Sequence, residues 1–178
     1  RDAEGSLVDG TARGILDELT SHARAARSTR RRSLGPESAS ATIARPAEPC
    51  QRTIGEEAGY FQPLGPRHSA FFLDDAPILL VTFETVQSIR QTQPGQLPVG
   101  YQIAKGRGWS HLCLIADGDT WYRDKAVYAF FDRLVDEAFF EDFDQVVFYG
   151  AGMAGYAAAA FSVAAPGATV IAVQPQAT

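Results

Sequence analysis

Apolar residues gather into short continuous runs in the last two thirds of this chain, separated by stretches in which they recur every three or four positions. His68 to Leu73 (HSAFFL) is one such run, closed by Asp74 and Asp75. Pro77 opens the next, Ile78 to Phe83 (ILLVTF), β-branched and aromatic with little polar alternation. Runs of this kind mark strands buried on both faces, which requires helices above and below the sheet. Gly108 to Ala116 (GWSHLCLIA), Gln145 to Tyr149 (QVVFY) and Thr169 to Val173 (TVIAV) predict further strands. Between the first and second of these, Val127, Phe130, Phe131, Leu134, Val135 and Ala138 form the stripe of an amphipathic helix that Asp124 can cap. A helix of small residues follows from about Met153 to Ala165, stopped by Pro166 and Gly167. Pro94, Gly95, Pro98 and Gly100 break the stretch from Ser88 to Gln102, predicting a loop with a short helix from about Val99 to Lys105. Strands alternating with helices give an α/β class: three layers, α/β/α, around a mainly parallel sheet.

Composition divides the chain in two. All 19 aromatic residues lie at or after Tyr60, so the first third has little with which to build a core. Nine of the sixteen basic residues, all arginine, also fall there, in a segment rich in serine and proline. Residues 1–52 therefore read as a disordered or weakly helical leader, with Gly14 to Ala26 its only helical stretch, and residues 53–178 as a partial globular domain. From Thr53 onward seven basic residues face fourteen acidic ones. An acidic domain is a poor match for a phosphate backbone, which argues against a nucleic-acid partner. No apolar stretch is long enough for a signal peptide or membrane span, so a cytoplasmic protein without a membrane partner is expected. The chain starts at Arg1 and its sole methionine is Met153, which reads as a processed or fragmentary protein. Cys50 and Cys113 form neither a disulfide framework nor a metal-ligand spacing, and His22, His68 and His111 stand isolated in sequence, so no metal is expected.

The chemistry concentrates in Gln145 to Gln174, a strand, a glycine turn, a helix and a strand. Gly150, Gly152 and Gly155 spell G-x-G-x-x-G, the dinucleotide fingerprint, in which backbone amides at a helix N-terminus receive a pyrophosphate. The acidic residue that should close the next strand to hold a ribose is absent, since Val173, Gln174 and Pro175 occupy its end. Gly150, Gly152 and Ala154 equally occupy the places of a G-x-S-x-G nucleophile elbow, which needs small residues because its backbone is strained and its helix packs closely. The two readings separate on strand order. The elbow requires Ile78 to Phe83 directly beside Gln145 to Tyr149, Gly108 to Ala116 beyond it, and Thr169 to Val173 on the other side; any other order favours a phosphate cradle.

The stretch YGAGMAGYAAAAF resembles the Y-G-x-S-M-G-G-Y-A-A elbow of bacterial α/β-hydrolase-like proteins. More closely, residues 54–178 resemble an alphaproteobacterial family often named phosphoadenosine phosphosulfate reductase, through GEEAGYFQPLGPRHSAFF, LLVTFETVQSIR, GWSHLCLIADGDTWYRD and FYGAGMAGYAAAAFSVAAPGATV. The resemblance implies an α/β-hydrolase-like fold truncated after its sixth strand. The reductase chemistry in that name needs an attacking cysteine, and Cys113, between Leu112 and Leu114 in a strand, reads as a structural thiol of raised pKa.

Gly152 stands where the resemblance places a serine, and a glycine has no side chain with which to attack a carbonyl. The Met153 amide and an amide near Glu84 or Thr85 remain candidates for an oxyanion hole. Gly150 and Gly155 in the turn, and Asp117, Glu84 and Gln174 at carboxyl ends of strands, are further ligand candidates. The expected function is a non-catalytic or altered hydrolase-like protein, without a cofactor, binding a small acyl, glycosyl or anionic ligand. The alternatives are an FAD- or NAD-binding protein, the reductase itself, and a structural or interaction domain whose crevice Tyr149, Met153 and Tyr156 fill. The uncovered edge of the last strand predicts self-association.

Overall fold

A computed structural model describes residues 59–75, 77–92 and 97–176 of the chain. The leader, with Cys50 and His22, lies outside them. Among the described residues six strands form one sheet: β1 (Gly59–Leu64), β2 (His68–Leu73), β3 (Ile78–Thr85), β4 (Ser110–Ala116), β5 (Gln145–Ala151) and β6 (Thr169–Val173), in the order β1-β2-β4-β3-β5-β6. The β2 strand pairs antiparallel with both β1 and β4, and the remaining three pairings are parallel. The protein is thus a mixed α/β fold in which β2 alone opposes the common strand direction.

Among the described residues four helices connect the strands: α1 (Val86–Thr92), α2 (Val99–Arg107), α3 (Lys125–Asp136) and α4 (Met153–Phe161). Short 3-10 turns follow α3 at Phe139–Asp142 and α4 at Ser162–Ala164. The apolar runs of the central strands are buried as expected, every residue of β4 being inaccessible, whereas β6 at the sheet edge has no buried residue. On one face of the sheet Phe83 and Phe148 pack with Phe131 of α3, Phe161 of α4 and Phe140. Phe131 is the hub, stacked on Phe161 at 4.4 Å and on Phe83 at 6.2 Å between ring centroids. The other face packs Phe71, Cys113 and Ile115 against Ile89 of α1 and Tyr101 of α2. Asp124 caps α3 as its sequence position suggests, accepting from the Ala126 amide at 2.8 Å.

Two elements depart from the sequence reading. Residues from Ser88, assigned above to a loop, belong to α1, because Thr85 and Ser88 form a reciprocal cap. Ser88 N donates to Thr85 Oγ1 and Thr85 N to Ser88 Oγ, each at 3.0 Å. Strand β1 went unread because Gly59, Gln62 and Pro63 interrupt its apolar pattern. Its place is set by full register with β2, from Gly59 opposite Leu73 to Leu64 opposite His68.

Candidate functional site

The carboxyl ends of β3 and β5 meet the N-terminus of α4 at the glycine turn. Gly152 sits between β5 and α4 with φ 62° and ψ −123°, a conformation that side chains of L-residues rarely adopt. Its amide donates to Val173 O at 2.9 Å, and its carbonyl accepts from Tyr156 N at 3.2 Å and Gln176 N at 3.3 Å. A Cβ added at Gly152 would meet open space, whereas one at Gly150 would overlap the Ala154 carbonyl. At Gly155 it would stand 3.1 Å from Gly150 O and 3.3 Å from Pro175 Cα. Gly150 and Gly155 are therefore small for packing and Gly152 for backbone conformation. Met153 opens α4, so its amide has no acceptor within the helix.

The loop after β4 is fastened onto this turn. Trp121 and Tyr122 both have φ 56°, a left-handed pair that needs support from its surroundings. Trp121 N donates to Met153 Sδ at 3.2 Å, and its ring meets Tyr156 edge-on at 5.7 Å. Arg123 donates to the Tyr156 hydroxyl from Nε at 3.1 Å and Nη2 at 2.8 Å while its guanidinium lies over the same ring. The wholly buried Tyr122 donates to Glu84 O at 2.8 Å. Just before Trp121 in the loop, Thr120 Oγ1 lies 2.7 Å from His68 Nε2. Sequence reasoning missed Trp121, Tyr122 and Arg123 as site residues. Their signal was two aromatics and a cation between a strand end and a capped helix.

Beneath the loop, Thr82 and Glu84 of β3 share a face with His111 and Cys113 of β4, since Thr82 is in register with Cys113 and side chains two apart point the same way. Glu84 accepts from Val99 N at 2.9 Å and Gly100 N at 3.2 Å, and so caps α2 from a neighbouring strand. Thr82 Oγ1 donates to Glu84 at 3.3 Å and lies 2.8 Å from His111 Nε2. With the hydroxyl proton directed at Glu84, the network assigns the ring proton to Nε2. Burial raises the Glu84 pKa against the pull of those amides and pushes His111 down to about 3. Burial, with Glu84 beside it, holds the Cys113 thiol well above its usual range. Cys113 is a protonated core thiol with no nucleophilic character. Tyr149, in register with Thr82 on this same face, is raised to about 12 by burial and by Glu84.

The structure brings together Gly150, Gly152, Met153, Gly155 and the segment after β6, to which Gln174 belongs; Gln174 is exposed at φ 45°. Glu84 joins them through Tyr122, but its carboxylate is occupied by α2. The Thr85 amide is occupied by Ser88. Asp117 stands apart: its amide donates to Arg67 O at 2.8 Å, and its carbonyl accepts from Arg67 Nε at 3.2 Å and Nη2 at 2.9 Å. This ties Asp117 to the β1–β2 turn, with β3 between its strand and β5. Met153 and Tyr156 are held by the Trp121 loop, while Tyr149 belongs to the opposite face. Among the described residues no helix is long and apolar enough to cross a membrane. No family model, curated protein or solved structure matches the chain.

Proposed function

We propose that this chain is an α/β-hydrolase-like domain whose elbow lacks its nucleophile, and that it binds a small acyl, glycosyl or anionic ligand at the β5–α4 turn without hydrolysing it. The observation that carries this reading is Gly152. It holds the positive-φ corner between strand and helix where an elbow places its serine, with free space where that side chain would stand. Strand order supports it, because β3 lies directly beside β5, β4 lies beyond β3, and β6 flanks β5 on the other side. Ligand binding draws support from the Met153 amide at the positive end of α4 and from the Trp121 and Arg123 wall. Absence of acyl-enzyme catalysis draws support from Gly152 itself, which offers no side chain to attack a carbonyl. The reductase chemistry gains nothing from Cys113, which is fully buried.

The test combines a fluorophosphonate probe with an amide-resolved NMR titration using butyrate and glucose. The expected result is no covalent labelling and saturable shifts confined to Gly152, Met153, Gly155 and the Trp121 loop with at least one probe. Labelling of the wild-type chain overturns the loss of catalysis. No shift with either probe overturns the binding role and leaves a structural domain, and tightly held FAD or NAD in the purified protein replaces the reading with a dinucleotide site.

A further inference from the structure

We infer that Glu84, His111 and Cys113 form a binding site for one divalent transition-metal ion, with zinc the best match. A carboxylate oxygen, an imidazole nitrogen and a thiol sulfur arise from two adjacent strands, and one ligand atom of each lies within 4.8 Å of the others. The mixed oxygen, nitrogen and sulfur set suits zinc or cobalt and disfavours calcium and magnesium, which take oxygen alone. Charge favours the assignment as well. A bound thiolate and carboxylate together cancel a dication, giving a neutral site in a core where either anion alone would be poorly solvated. On loading, the thiol proton leaves to solvent and the sulfur lone pair forms the bond to the metal.

Outer support is already in place. The Val99 and Gly100 amides hold the carboxylate, Thr82 Oγ1 stands against the imidazole, and such partners orient metal ligands in built sites. The fully buried His111 also has a nitrogen, Nδ1, that no hydrogen bond satisfies, a vacancy rare in a protein interior. Bond lengths of about 2.0 to 2.3 Å in a tetrahedral zinc site bring ligand atoms to about 3.6 Å from one another. The donors must therefore draw in by roughly 1 Å. Glu84 is the partly exposed member of the three. Three protein donors leave the fourth position to water.

The test is cobalt titration of the full chain, stripped with chelator and carrying Cys50→Ser so that Cys113 is the only thiol. The expected result is one equivalent of Co2+ giving a near-ultraviolet thiolate-to-cobalt absorption and the visible bands of four-coordinate cobalt, both abolished by Zn2+. In the same background Cys113→Ser should lose the charge-transfer band, and His111→Asn or Glu84→Gln should weaken binding at least tenfold. Far-ultraviolet circular dichroism reports whether each variant folds. Should all three fail to fold, the parent titration decides alone: no thiolate-to-cobalt band at one equivalent overturns the site. A band that persists in folded Cys113→Ser overturns it equally, as does unchanged affinity in folded His111→Asn.

Discussion

Gly150 and Gly152 are two positions apart and small for different reasons, which makes them separable by mutation. A methyl at Gly150 is driven into the Ala154 carbonyl, a backbone atom that cannot move without unwinding the first turn of α4. A methyl at Gly152 meets nothing and has only the positive φ to contend with. Gly150→Ala should therefore lose about 3 kcal/mol or more, at the upper end of overpacking effects. Gly152→Ala should lose about 1 to 2 kcal/mol, the usual strain of a non-glycine residue in a sparsely populated backbone region. Urea unfolding midpoints check the order, and equal losses would mean that the turn relaxes and is no rigid corner. The sequence motif revealed that all three glycines matter, but only coordinates separate a steric requirement from a conformational one. The Thr85 amide was illegible for a related reason: its engagement depends on a serine three residues on that reads as ordinary loop composition.

At the level of elements, apolar runs and periodicity located five of the six described strands and the helices α2, α3 and α4. They failed for β1 and α1, whose stability comes from pairing and capping and is invisible in an apolar pattern. The loop at residues 117–124 illustrates the same limit, because its conformation depends on partners in β2, β3 and α4. Its anchor at β2, His68, carries a pH dependence whose sign follows from its surroundings. Burial lowers the His68 pKa below 6.5; Asp124 opposes the shift and Arg67 adds to it. The folded state thus binds the imidazole proton more weakly than the unfolded chain does. Its contribution is fully present above the unfolded value of about 6.5 and is lost as pH falls through the lower folded value. His68→Gln, which can keep a bond to Thr120, should flatten this part of the curve. Urea unfolding from about pH 8 to about pH 5, the range in which an ordinary histidine titrates, is the check. The wild type should lose more stability than the variant on acidification, and parallel curves would exclude His68 as the titrating group.

For the molecule as a whole, the α/β class and the burial of the central strands were legible because continuous apolar runs can be satisfied only between two layers. The buried group of Glu84, His111 and Cys113 was not, since register across two strands joins residues that look isolated along the chain. The same sheet has two unlike edges. Strand β1 carries Pro63, which offers no amide to an incoming strand. Strand β6, TVIAV, has no charge or proline, and among the described residues it pairs only with β5. None of its residues is buried, and Val170 is 40% exposed with Val163, at 80%, also open. An unprotected apolar edge of this kind pairs with another copy unless a charge interrupts it. The chain should show concentration-dependent mass in sedimentation equilibrium, and Val170→Lys should weaken that association at least tenfold. The substituted side chain starts from an exposed position, so far-ultraviolet circular dichroism and the urea midpoint should stay close to wild type. Association that the lysine leaves untouched would move the contact away from β6. A wild type monomeric at every concentration would show that the edge is protected by means other than its own sequence.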